Sequence, residues 1–214
     1  MEEAWTYHPQ LDEHGRKHRI HAPSCEANLA NLADAQAGLT FIPGSTCARM
    51  LNGVELTRCT QSEIHHALKQ ASTGPSVAEP PYLAPAGMRA AAGAVVLEPD
   101  GRIWLVAPSN GFGGYQATFP KGRVEPGASL QATAIKEVWE ESGLLVALTA
   151  YLGDFSRTQT FTRFYLARRV GGHPADMGWE SQAVHLVTPA RARQLLNRET
   201  DHAVLDAVAV FMAR

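Results

Sequence analysis

The sequence predicts an α/β protein: an α/β/α sandwich around a mixed sheet, with a small N-terminal extension or domain in front of it. Three observations lead there. Apolar runs of strand length recur through the second half of the chain, and helical patterns are interleaved with them rather than segregated from them. The third is a break in composition over residues 71–85, where Ser72, Thr73, Gly74, Pro75, Ser76, Pro80, Pro81 and Pro85 fall together as in a linker or extended arm. The break divides the chain into an N-terminal region of unassigned role (1–70), a linker (71–85) and a main domain (86–214).

Within the main domain, residues 90–97 and 103–107 are apolar runs joined by Pro99-Asp100-Gly101, which reads as a β-hairpin. A glycine-rich loop over 110–114 leads to a short extended piece at 117–119 and a further loop over 120–128. Ser129 can cap a helix whose apolar face is Leu130, Ala134, Ile135, Val138 and Trp139, and Gly143 stands where a left-handed residue ends it, so the helix spans about 129–142. Strands follow at 144–153, 160–169 and 183–187. Thr188-Pro189 opens a helix with proline in its first turn, and a last helix sets Val204, Val208, Phe211 and Met212 on one stripe.

The bulk numbers exclude several classes. A formal net charge of −2 and a pI near 6.5 give no broad electrostatic attraction for nucleic acid or anionic membranes. Neither a signal-like N-terminus nor an apolar stretch of membrane-spanning length is present, and Cys25, Cys47 and Cys59 are too few and too scattered for a disulfide framework; a cytoplasmic protein is expected. His14, His18, His21 and Cys25 approach metal-ligand spacing, but no CxxC pair supports a zinc site, and surface histidines with small buried thiols are the plainer reading.

The chemistry concentrates in residues 122–144, GRVEPGASLQATAIKEVWEESGL. Glu137, Glu140 and Glu141 stand at i, i+3 and i+4, hence on one side of the helix. Like charges so placed cost a few tenths of a kcal/mol per pair, roughly 0.2–0.5, so the helix gains nothing by collecting them unless a cation is bound. Hard oxygen ligands suit Mg2+, which takes one or two protein carboxylates together with water and phosphate oxygens. A solvated acidic face is the competing reading of the spacing alone.

In this loop-helix-loop setting the segment resembles the Nudix box, G-x5-E-x7-R-E-U-x-E-E-x-G-U with U a bulky aliphatic residue. Gly122, Glu137, Val138, Glu140, Glu141, Gly143 and Leu144 match it. Phe119-Pro120-Lys121-Gly122 and Glu125-Pro126-Gly127 resemble members that act on dinucleoside polyphosphates and diphosphoinositols. The resemblance covers about residues 86–214.

The resemblance implies a metal-dependent pyrophosphohydrolase that cleaves a phosphoanhydride bond in a nucleoside diphosphate linked to another moiety, such as a dinucleoside polyphosphate or ADP-ribose. Glu137, Glu140 and Glu141 would hold Mg2+ or Mn2+, while Lys121, Gly122 and Arg123 would lie near the phosphates. Glu180, in a loop before a late strand, would be a further ligand or the general base. The box departs from the pattern at Ala128, where a Glu belongs, and at Lys136, where an Arg would orient a catalytic Glu; Lys offers a point charge instead of a planar fork. Those departures feed the alternative, a catalytically weak Nudix-fold nucleotide-binding or regulatory module. The expected partner is a small phosphorylated substrate, with no nucleic acid or membrane; the N-terminal third is left as a small domain, a homodimerisation arm or a substrate lid.

Phe112 and Tyr115, with Asn110 nearby, could stack on a substrate ring, although loop aromatics more often anchor the loop itself. Arg157 and Arg163 could neutralise phosphates, solvated strand arginines being the plainer reading.

Overall fold

In the computed structural model, residues 6–20, 29–45, 49–73, 77–109 and 114–213 are described. Among the described residues the first third holds five short strands, a 3-10 helix (Leu29–Ala33) and one α-helix. β1 (Tyr7–Leu11) and β2 (Lys17–Arg19) form an antiparallel hairpin, and β3 (Leu39–Phe41) stands alone in sequence. β4 (Met50–Leu51) and β5 (Val54–Glu55) are joined by Asn52-Gly53 with φ of 51° and 78°, the left-handed pair that a two-residue hairpin turn requires. α1 (Gln61–Thr73) begins with a reciprocal capping box: Glu63 N–H donates to Thr60 Oγ1 at 3.3 Å, and Thr60 N–H donates to Glu63 Oε2 at 2.6 Å.

The remainder runs β6 (Arg89–Leu97), β7 (Ile103–Pro108), β8 (Lys121–Arg123), α2 (Leu130–Ser142), β9 (Leu144–Ser156), β10 (Thr160–Gly172), β11 (Ser181–Val187), α3 (Pro189–Leu195) and α4 (Glu199–Met212). One seven-stranded mixed sheet orders them β3-β11-β7-β6-β10-β9, with β8 on β6; the β6–β10 pair is parallel and the other pairs are antiparallel. Side chains alternate across it. Ala92, Ala94 and Val96 of β6 join Tyr165 and Ala167 of β10 beneath Ala134, Ile135 and Val138 of α2. Val95, Phe164 and Leu166 face the other way, onto Ala192 of α3 and Val204, Leu205 and Val208 of α4. This is the expected α/β/α sandwich.

Two details differ from the sequence expectations. The extended piece at 117–119 makes a single bridge, Thr118 to Val106, and the strand forms just after it at Lys121–Arg123. Pro120 has no N–H to offer a ladder, whereas Lys121, Gly122 and Arg123 pair with Gly93, Ala92 and Ala91. A Cβ at Gly93 would overlap the Pro120 carbonyl, so this glycine permits the close approach. In α4, Val204 and Val208 are buried as expected, but Phe211 and Met212 are exposed at its end.

The first third reaches into the main sheet. β3 lies on β11, and Leu39 and Phe41 are 2% and 0% exposed. Arg169 of β10 donates to the carbonyls of Leu51, Val54 and Glu55, and Arg102 to those of Leu32 and Asp34. The proline-rich stretch is a strap on the sheet: Glu79 accepts from Arg163 Nη1 at 3.1 Å and from the Tyr165 hydroxyl, while Val77 exchanges hydrogen bonds with the Gln131 amide at 3.2 and 2.8 Å. Among the described residues no helix is long and apolar enough to cross a membrane.

Candidate active site

The register of α2 is fixed at both ends. Ser129 Oγ accepts from Ala132 N–H at 3.1 Å, and Gly143, at φ 69°, donates its N–H to the Trp139 carbonyl at 2.8 Å. A Cβ at Gly143 would overlap the His173 carbonyl, so glycine is needed there twice over. With its apolar face on the sheet, α2 presents Glu137, Glu140 and Glu141 together.

Each carboxylate has a different environment. Glu137 is buried, 8% exposed, and lies against Gly122, where any Cβ would overlap its carboxylate. No hydrogen bond from a described residue reaches it, and burial, then Glu141 and Glu140, push its carboxyl up to about 8. Glu141 accepts the Lys121 backbone N–H at 3.0 Å; burial pushes it up to about 7, opposed by the Lys121 charge. Glu140 is more exposed and is held by Lys136 Nζ at 2.8 Å, which also meets Glu125 at 3.2 Å. Lys136 thus does make a glutamate contact within the box, and Glu140 and Glu125 hold its ammonium charged against the opposing effect of partial burial.

Glu180 joins this group through the loop before β11. Gly178 donates its N–H to the Glu140 carbonyl at 2.7 Å, and a Cβ at Gly178 would overlap that same oxygen. From the end of β7, Ser109 donates its N–H to the Glu180 carbonyl at 2.7 Å and its hydroxyl to the Trp179 carbonyl at 2.6 Å. Although Glu180 is exposed, its carboxyl is pushed up by partial loss of solvent, then by Glu140 and Glu13.

Lys121 occupies the opposite rim. Its Nζ donates to Thr118 Oγ1 at 3.0 Å and lies 5.2 Å from the Tyr115 ring centre; burial lowers its pKa. Arg123 is exposed beside it. Among the described residues no three His, Cys, Asp or Glu side chains stand close enough to share one metal ion. The donor set nevertheless suits Mg2+ or Mn2+: Glu137 and Glu141 are hard carboxylates, the Glu141 charge raising the Glu137 pKa, and two protein carboxylates are as many as Mg2+ usually takes.

Other expectations resolve differently. Arg163 is neither solvated nor free for phosphate: it is 1% exposed and paired with Asp154 at 2.7 Å and with Glu79 at 3.1 Å. Arg157 is likewise buried and paired with Asp201. Tyr115 is ringed by cations, with Arg198 5.2 Å and Arg157 6.0 Å from its ring centre in addition to Lys121. Asn110 and Phe112 lie outside the described residues, as do His21, Cys25 and Cys47. Cys59 is a free thiol, and His18 turns its Nε2 to Asp12.

Sequence reasoning missed the β1–β2 hairpin, which packs on the Glu180 loop through His18 and Trp179. The available signal was turn chemistry, Asp12 followed by Gly15 at φ 73°, inside a stretch whose histidines suggest metal spacing instead.

Comparison with known proteins bears on the family and the fold. The NUDIX domain profile matches residues 87–208. A Bacillus subtilis (strain 168) protein provisionally named an 8-oxo-dGTP diphosphatase is 34% identical over 74 residues, covering 34% of this chain and 50% of that protein. An RNA pyrophosphohydrolase of Caulobacter vibrioides is 33% identical over 91 residues, 42% of this chain and 50% of that protein. The chain thus spans about half the length of the curated relatives it matches. A solved NUDIX hydrolase from Nitrosomonas europaea superposes with a TM-score of 0.50 at 16% identity, over 57% of this chain and 89% of the other, a likeness of fold. With a NUDIX domain covering more than half of its residues, this chain belongs to the Nudix family.

Proposed function

We propose that the protein is a divalent-metal-dependent pyrophosphohydrolase acting on a nucleoside diphosphate linked to another moiety, a dinucleoside polyphosphate or an ADP-ribose-like compound. The observation that carries this reading is geometric: the buried Glu137 carboxylate lies against Gly122 with no hydrogen bond from a described residue, beside Glu141, which accepts the Lys121 backbone N–H at 3.0 Å, and both carboxyls are raised despite the Lys136 and Lys121 charges. The main domain, 86–214, supplies every proposed active-site residue.

Glu137, Glu140 and Glu141 would hold one or more Mg2+ or Mn2+ ions. Such an ion, when bound, neutralises phosphate charge and lowers the pKa of a coordinated water. The remaining steps belong to the chain. Lys121 and Arg123 place positive charge beside the phosphates, with Gly122 between them leaving room for the Glu137 carboxylate. Glu180, its carboxyl already raised, accepts the proton of the attacking water. Lys136 keeps Glu140 in place, and for that reason the enzyme reading is favoured over a module that has lost turnover.

The test is phosphate release with and without Mg2+ or Mn2+ over diadenosine tetraphosphate, ADP-ribose, 8-oxo-dGTP, 5′-triphosphorylated RNA and simple phosphomonoesters. Metal-dependent cleavage of one of the first two is expected. Hydrolysis of phosphomonoesters alone would remove the reading, and cleavage of triphosphorylated RNA alone would replace its substrate class.

A further inference from the structure

The β1–β2 hairpin lies on the turn that carries Glu180. The His18 and Trp179 ring centres are 4.6 Å apart, tilted by 39°. Gln10 Oε1 stands 4.0 Å from where a Cβ of Gly178 would be, buried His8 meets the Met177 backbone, and the Glu13 charge reaches Glu180. The hairpin therefore contacts the loop at Met177 and Trp179 and lies alongside Gly178, with the Glu13 charge near Glu180.

His18 is itself fixed from behind. The Asp12 carboxylate, 1% exposed, accepts His18 Nε2 at 3.0 Å, Arg16 Nε at 2.9 Å, and the backbone N–H groups of His14 at 2.9 Å and Arg16 at 2.7 Å. Those bonds lock the turn between the two strands and fix the plane of the imidazole. Trp179 is then held on two sides, its carbonyl by the Ser109 hydroxyl and its ring by His18.

We propose that His18 is a positioning residue of the active site: held by Asp12 and stacked on Trp179, it fixes the turn that presents Glu180 to the carboxylates of α2. This rests on the reading of Glu180 as a catalytic group. It gives the N-terminal region a role that the metal-like spacing of its histidines conceals. A loop bearing the proton acceptor must be held to a fraction of an ångström, and a displacement of about 1 Å can cost up to a hundredfold in rate.

The test uses the full chain with His18→Ala, His18→Phe, Glu180→Gln and the His18→Ala/Glu180→Gln pair. Amide exchange on the metal-free protein provides a readout independent of activity. In His18→Ala the Gly178 and Ser109 amides, which bond to Glu140 and Glu180, should exchange at least about tenfold faster, with the Val106 and Thr118 amides of the sheet unchanged. With diadenosine tetraphosphate and Mn2+, kcat should fall about tenfold with KM within about twofold. His18→Phe, which keeps the ring on Trp179 but loses the bond to Asp12, should restore both in part. In the Glu180→Gln background, His18→Ala should lower kcat little further, because the two act in one unit.

Wild-type exchange and kcat in His18→Ala would overturn the proposal, as would His18→Phe behaving like His18→Ala or full additivity with Glu180→Gln. If the unsubstituted protein cleaves no anhydride, the reading of Glu180 fails on its own, and the exchange rates still decide whether His18 holds the turn.

Discussion

Glu98 and Glu137 are both buried, 5% and 8% exposed, and they differ in everything around the carboxylate. Glu98 accepts from Arg169 Nε at 2.7 Å, from Trp104 Nε1 at 2.8 Å and from Asn52 Nδ2 at 2.9 Å. The same Arg169 reaches the carbonyls of Leu51, Val54 and Glu55, so the network ties the first third to the sheet. Glu137 accepts no hydrogen bond from a described residue, and its nearest charges include three more carboxylates. Residues of one type thus serve the fold where an arginine answers them and stay available for chemistry where none does. The contrast can be broken or sharpened by experiment.

The largest effect is expected on the fold side. Arg169→Met leaves Glu98 buried and uncompensated, which should cost about 3–5 kcal/mol of stability in urea unfolding. Adding Glu98→Gln should recover part of that loss, since it removes the stranded charge. Next is Glu141→Gln, which keeps shape and removes charge. It should cost about 3 kcal/mol of transition-state stabilisation, roughly a hundredfold in kcat. Metal-free stability should hold at neutral pH and rise by ~0.2–0.5 kcal/mol above pH 8, where Glu137 is ionised and its repulsion with Glu141 is relieved. Full activity in this variant would remove Glu141 from the catalytic set.

A pH series separates the two groups further. The Glu137 carboxyl lies at about 8 in the folded state against an ordinary 4.5, so between those values the folded chain holds a proton that the unfolded chain has lost. Its contribution is complete below pH 4.5 and disappears as pH rises through 8. The metal-free protein should therefore lose on the order of 4 kcal/mol from pH 5 to 8.5, and Glu137→Gln should remove most of that slope. An unchanged slope would mean that Glu137 is not the buried acid. The smallest effect is that of Lys136→Ala. The pair with Glu140 is partly exposed and should cost only about 0.2–1 kcal/mol, with kcat falling a few-fold and Lys136→Arg restoring it.

Legibility in the sequence followed the same division. The α2 helix could be read because its signals are local: Ser129, the apolar spacing and Gly143 all act within one or two turns. Its three glutamates could be read because they stand in a spacing that the helix alone does not favour. The arginine networks could not, since Glu79 and Arg163 are 84 residues apart and Arg163 looks like any strand arginine. β3 was hidden for the same reason, its Thr40 meeting His185 across 145 residues. Local cues in the first third went unread: Asn52-Gly53 marks a hairpin and Thr60 to Glu63 a capping box. The role of Trp179 depends on His18, which no local pattern connects to it.

The central claim is that the α2 carboxylates, Glu137 and Glu141 above all, form a cation site, and thermal melting against Mn2+ concentration tests it most directly. The unsubstituted protein should gain stability with the logarithm of metal concentration, reaching about 2.7 kcal/mol at a hundredfold excess over Kd. The Glu137→Gln/Glu141→Gln chain should show no such gain while melting without metal at or above the temperature of the unsubstituted protein. An equal metal-dependent rise in both proteins would contradict the account.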